Sequence, residues 1–136
     1  MEMKYFTIAE LTHSNTAVAK RIDNTPSRAV IENLEALVYN VLDPLREAYG
    51  KPITVNSGYR SDMLNVVVGG SKTSQHKTGE AADITTGTKE GNKWLFDYIF
   101  RHLPYDQLID EKDYSWVHVS YTEHRTNRQE VKRIRK

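Results

Sequence analysis

An α+β domain with a small, mainly antiparallel sheet packed with helices is the fold class this sequence predicts. Two observations carry it. The first half holds a long apolar series at helical spacing: Val30, Ile31, Leu34, Leu37, Val38, Val41, Leu42 and Leu45. The second half holds short alternating segments around a polar turn, which read as a hairpin. Helices first and a small sheet after them give the α+β arrangement. A length of 136 residues suits one domain, large enough to bury a single core.

The elements follow in order. Thr7-Ile8-Ala9-Glu10 reads as a capping box that opens a short helix. Thr25-Pro26-Ser27 starts the strongest helix; Pro44 must kink it or mark a fresh start after Asp43, and Gly50 stops it. Ile53 to Ser57 alternates as a strand and ends at Gly58. A short helix is expected from Ser61 to Val67, closed by Gly69-Gly70. An amphipathic helix from Lys89 to His102 turns Trp94, Leu95, Tyr98 and Ile99 inward, and Pro104 follows it. Gln107 to Asp110 and Trp116 to Tyr121 are the two strands of the hairpin. His13 and His102 fall on helices and His124 begins a basic tail, so these three read as structural or exposed.

Composition excludes several classes. The absence of cysteine removes disulfides and thiolate ligands. The first residues lack the apolar stretch of a secretory signal, so the chain is expected in the cytoplasm until release. The longest aliphatic run, Val66-Val67-Val68, is far short of a membrane span. Net charge is +1 but uneven, with six lysines or arginines against two glutamates from Glu123 onward. The expected organisation is therefore a single domain over residues 1–122 and a basic tail over 123–136, read as a solvated or frayed end. Nucleic acid is not an expected partner, because no groove-reading or aromatic motif accompanies the tail. Gly69-Gly70-Ser71-Lys72-Thr73 lacks the spacing of a phosphate loop. No Gly-x-Ser-x-Gly elbow is present.

The chemistry concentrates in Ser74-Gln75-His76-Lys77-Thr78-Gly79-Glu80-Ala81-Ala82-Asp83 and in Trp116-Val117-His118. Asp83 sits in Ala81-Ala82-Asp83-Ile84, a run that reads as a buried strand, where a carboxylate is costly unless a cation or donors compensate it. Gly79 lets the chain leave His76, turn, and carry Asp83 back toward the imidazole. Alternation on the second strand puts Trp116, His118 and Ser120 on one face. Two imidazoles and one carboxylate form a three-ligand metal site of a kind that zinc accepts while keeping a fourth position for water. Arg60, directly after a strand in Ser57-Gly58-Tyr59-Arg60-Ser61, is either a surface residue capping a loop or a guanidinium that holds a carboxylate or an oxyanion.

These motifs resemble the zinc D-Ala-D-Ala carboxypeptidase family, which includes L-alanyl-D-glutamate endopeptidases and shares its fold with the hedgehog signalling domain. The likeness rests on Ser-x-His-x6-Asp followed by Trp-x-His. It extends through Phe6-Thr7-Ile8-Ala9-Glu10-Leu11, Ile22 to Pro26, Leu42 to Arg46, Ser57 to Ser61 and Tyr105 to Ile109, and is nearest to short single-domain members from phages and bacteria. The resemblance implies Zn(2+), one per chain, on His76, Asp83 and His118, with peptidoglycan stem peptides as substrate and a monomeric enzyme. It implies that Arg60 contacts substrate near the metal and that Ser74 hydrogen-bonds it; Trp116 joins them at the substrate. Many relatives carry an acid three residues before the second histidine, where this chain has Ser115. Of the nearby acids Asp110, Glu111 and Asp113, Glu111 best matches relatives that place the base at the end of the preceding strand, and Asp113 is second. Without a base at Ser115, the competing reading is a non-catalytic zinc-binding module on the same fold.

Overall fold

The computed structural model describes residues 3–134; Met1 and Glu2 at the start and Arg135 and Lys136 of the basic segment lie outside the described residues. The chain begins with two short helices. In α1 (Ile8–Thr12) the Thr7 hydroxyl accepts from the Glu10 amide at 3.1 Å, as the capping signature predicts. In α2 (Asn15–Lys20) Ser14 caps the Ala17 amide, and Arg21 closes the helix in the left-handed region. The periodicity argument missed α2, because six residues are too few to show a helical repeat. His13 is consequently not helical but links the two, with Nε2 2.9 Å from Asn15 Oδ1.

The long apolar series forms α3 (Arg28–Leu37), a π-helical turn at Val38–Leu42, and α4 (Asp43–Tyr49), which Gly50 ends at φ 76°. Pro44 occupies the first turn of α4. Proline donates no amide hydrogen and crowds the carbonyl four residues back, and the wider π turn accommodates both effects without breaking the rod. Buried leucines and valines therefore continue through all three segments, from Val30 to Leu45.

Next come β1 (Thr54–Ser57), α5 (Asp62–Val67), a 3-10 turn at Gln75–Thr78, β2 (Ala81–Thr85), α6 (Lys89–His102), β3 (Gln107–Glu111), β4 (Trp116–Ser120) and β5 (Glu130–Ile134). The strands form one sheet in the order β1-β2-β4-β3-β5, antiparallel throughout except for the parallel β3–β5 pair. Alternation divides its faces. Ala82, Ile84, Leu108, Val117 and Val119 point into the core with Leu34, Leu37, Val41, Leu95 and Ile99 from the helices. The opposite face carries Asp83, Ile109, Glu111 and His118 into an open cleft.

Two expectations are corrected. On α6 the core face is Asn92, Leu95, Phe96 and Ile99; of the residues expected inward, Leu95 and Ile99 are core and Tyr98 packs partly buried against it, but Trp94 does not turn inward. Trp94 is 39% exposed; its ring stacks on Tyr98 at 5.1 Å and tilts against Tyr49 at 5.2 Å. Trp94 covers the partly buried Tyr49 and Tyr98 from outside, while Phe96 takes the interior place, edge-on to Tyr114. The second correction is the tail. It is not a frayed end, because Glu130–Ile134 is a sheet strand in register from Gln107↔Glu130 to Glu111↔Ile134. Its anchor is Asp106, fully buried, which accepts from Arg125 Nη1 at 2.7 Å, Arg125 Nη2 at 2.9 Å, Arg128 Nη2 at 2.7 Å and the Arg128 amide at 2.8 Å. Burial alone would raise the Asp106 carboxyl, but the two guanidiniums outweigh it and hold the group well below the usual carboxylate range.

Candidate metal centre and cleft

Three segments bring the predicted ligands together. The 3-10 turn carries His76, and Ser74 caps it by accepting the His76 amide at 3.1 Å. Gly79 then turns the chain into β2 at φ 78°, where a Cβ would lie 2.8 Å from the Val30 carbonyl oxygen; both the torsion and the space require glycine. On β2, Asp83 sits directly opposite His118 of β4. Register between two adjacent strands therefore brings one pair of candidate ligands together, and the preceding turn adds the third.

One ligand atom from each of His76, Asp83 and His118 lies within 4.8 Å of the others. Asp83 Oδ1 is 3.0 Å from His118 Nδ1 and 3.4 Å from His76 Nε2. The imidazoles meet edge to face, with centroids 5.2 Å apart. On the far side of the His76 ring, Nδ1 donates to the Gly58 carbonyl at 2.6 Å. That bond assigns the proton to Nδ1 and leaves a lone pair on Nε2, which is buried and has no hydrogen-bond partner. An orphaned imidazole nitrogen beside a carboxylate and a second imidazole fits a divalent cation of borderline softness. Burial pushes the Asp83 carboxyl up, but the hydrogen bond from His118 and the nearness of both imidazoles overcome this and hold it well below the ordinary range.

Arg60 lies against this group. Its Nε donates to Ser57 Oγ at 3.1 Å, its Nη1 to Asn65 Oδ1 at 3.0 Å, and its Nη2 approaches Asp83 Oδ2 at 3.7 Å. Asn65 is itself buried, and its amide donates to the Ser71 carbonyl at 2.8 Å. A Cβ on Gly70 would collide with Asn65 Oδ1 and stand 2.7 Å from Arg60 Nη1, so Gly70 is a close approach, whereas Gly69 has open space and a φ of 77°.

Ser74, Trp116 and Glu111 line the same cleft. Trp116 Nε1 is buried without a partner. Glu111 faces Trp116 across the β3–β4 hairpin. Burial first, and the nearby Asp83 charge second, push the Glu111 carboxyl above its ordinary range. The other acids of that turn point elsewhere. Asp110 is fully buried on the core side and accepts the Tyr114 amide at 2.6 Å. Asp113 binds Lys89 at 2.7 Å and does not line the cleft. The Ser115 hydroxyl donates to the Lys112 carbonyl. Among the described residues, Asp83 and Glu111 are the carboxylates on the cleft wall.

The pattern of one family, Peptidase M15, matches residues 4–120. The chain belongs to the peptidase M15 family. A segment of 49 residues is 49% identical to the zinc D-Ala-D-Ala carboxypeptidase of Streptomyces albus G, covering 35% of this chain and 19% of that protein. The chain thus spans about a fifth of the length of that curated relative. Among the described residues, no helix is long and apolar enough to cross a membrane.

Beyond the M15 match, the cleft has a wall that the sequence reading did not foresee. Arg125, Arg128, Lys132 and Ile134 all line it. The alternation of Glu130-Val131-Lys132-Arg133-Ile134 is a strand signal, but five residues dense in charge read equally well as a solvated end. Asn65 was also missed; a buried asparagine in a short helix carries no local mark of the guanidinium it holds.

Proposed function

We propose that this protein is a zinc-dependent peptidase hydrolysing peptidoglycan stem peptides, by D-Ala-D-Ala carboxypeptidase or L-Ala-D-Glu endopeptidase chemistry. The observation that carries the reading is the bare Nε2 of His76, buried beside Asp83 and His118 with its tautomer set from behind by Gly58. His76, Asp83 and His118 would hold the ion. Bound there, zinc supplies Lewis acidity that polarises a peptide carbonyl and brings the deprotonation of water near neutral pH.

The chain's own groups supply the rest. Glu111 takes a proton from water and returns it to the leaving amine, the work of a carboxylate held above its ordinary range. Arg60 presents a guanidinium beside the ligands and holds a carboxylate or carbonyl oxygen of the peptide. The Ser74 oxygen already accepts the His76 amide, and its hydroxyl hydrogen remains to donate to a substrate acceptor. Trp116 offers an apolar face and a buried N–H with no protein partner. Glu111 in the cleft weighs against a purely structural metal module, because such a module needs no proton acceptor there.

The test is release of D-alanine or muropeptide fragments from purified peptidoglycan, with chelator and with zinc restored. Release that chelator stops and zinc recovers is expected. Release indifferent to chelator overturns the metal chemistry, and no release from zinc-loaded protein leaves a binding module.

A further inference from the structure

Sheet register places Lys132 in line with the ligands. Asp83 pairs with His118, His118 with Ile109, and Ile109 with Lys132, so these four residues form one row across β2, β4, β3 and β5. Residues paired across neighbouring strands share a face, and Lys132 accordingly lines the cleft with Ile109 and His118. Two strand spacings separate it from His118, roughly 10 Å. Arg60 flanks the ligands at the other end of the row, beyond β1.

The three cations that the C-terminal segment brings to the cleft are not equivalent. Arg125 and Arg128 are both engaged by Asp106. Among the described residues Lys132 has one ionic contact, to Glu130 at 3.7 Å, and its side chain is half exposed. Glu130 is meanwhile held by the Gln107 side chain. Lys132 thus brings a solvent-accessible ammonium to the cleft, about the span of two to three extended residues from the ligand row.

We propose that Lys132 is a specificity-determining residue that pairs with a carboxylate of the peptide substrate two to three residues from the cleaved bond, so that the cleft selects a peptide anionic at both ends of the ligand row. This rests on the peptidase reading above and names its substrate class more narrowly. Lys132 lies on β5, beyond residue 120 where the M15 match stops.

The probes are a synthetic stem pentapeptide ending in D-Ala-D-Ala with its glutamate carboxylate free, and the same peptide with that group as the carboxamide. Binding of both to the zinc-free protein is measured by calorimetry, and hydrolysis by the zinc-loaded protein is measured separately. Wild type is expected to bind the carboxylate form about three- to tenfold more tightly, a preference that fades as salt rises. Lys132→Gln should bring the binding ratio close to one, Lys132→Arg should keep it above one, and Lys132→Glu should invert it. A wild-type ratio of one, or a ratio that Lys132→Gln leaves intact, overturns the assignment. Absent hydrolysis of either peptide counts against the peptidase reading, while the binding arm still decides the role of Lys132.

Discussion

His76 donates through Nδ1 to the carbonyl of Gly58 at 2.6 Å, which turns its Nε2 toward Asp83. The bond joins the loop after β1 to the turn before β2, segments 18 residues apart. Gly58 is itself constrained, because a Cβ there would lie 2.9 Å from the Leu11 carbonyl carbon and closer still to its oxygen. Gly58→Ala should shift that carbonyl and weaken zinc by about 10- to 100-fold, as loss of a ligand's supporting bond does. Competition against a calibrated chelator measures it; an unchanged affinity would show that His76 is held by packing alone.

Removal of a ligand should be more severe. His76→Ala, Asp83→Ala and His118→Ala are each expected to abolish stoichiometric zinc, and elemental analysis reads this directly. Chelation of the wild type should also lower Tm, since ion binding confined to the native state adds to folding stability. Full zinc occupancy in any of the three variants removes that residue from the ligand set.

Glu111→Gln keeps shape and polarity but cannot accept a proton. It should retain zinc and lose about 100- to 10,000-fold in turnover. Asp113→Asn should be mild, because Asp113 is paired with Lys89 away from the cleft. The reverse ranking would transfer the role to Asp113.

Arg60 uses its whole fork, with Nε on Ser57, Nη1 on Asn65 and Nη2 toward Asp83. Arg60→Ala should leave zinc content intact and sharply reduce peptide hydrolysis. Arg60→Lys should recover little, since a point charge cannot reach three directions at once. Equal activity of all three proteins rules out a substrate role.

Asp106 makes the stability of the C-terminal strand pH-dependent. Its folded carboxyl is held below the usual range, so the stabilisation is complete above the unfolded value near 3.9 and is lost as pH falls through the folded one. Asp106→Asn should cost about 3 kcal/mol at pH 7, chiefly by stranding two guanidiniums. Denaturant melts from pH 7 to pH 3 should show the gap between wild type and variant steady down to about pH 4.5 and narrowing below it. A gap that stays constant to pH 3 would mean that the carboxylate charge is not what holds the tail.

Much of the architecture was legible from local chemistry. The starts expected at Ser27 and Ser61 hold because each hydroxyl accepts the amide three residues on; the structure adds Thr88 as the cap of the Lys89–His102 helix. The Lys89–His102 helix has the predicted bounds because a cap and a proline bracket it. Its inward face was not legible, since Trp94 and Phe96 are equally apolar and only the docking angle on the sheet chooses between them.

The sequence by itself determined the ligand candidates, because two imidazoles and a strand carboxylate at turn-and-strand spacing have few other uses. It also determined the long helical rod and the hairpin, whose signals are periodic and local, though not the short α2. Only the tertiary structure decided which acid of the turn faces the cleft, because that depends on hairpin register and on Lys89 of a distant helix capturing Asp113. It alone decided the fate of the basic segment. Charged residues favour water until a buried partner compensates them, and Asp106, about 20 residues earlier in the chain, converts a run that reads as solvent-bound into the edge of the sheet and one wall of the cleft.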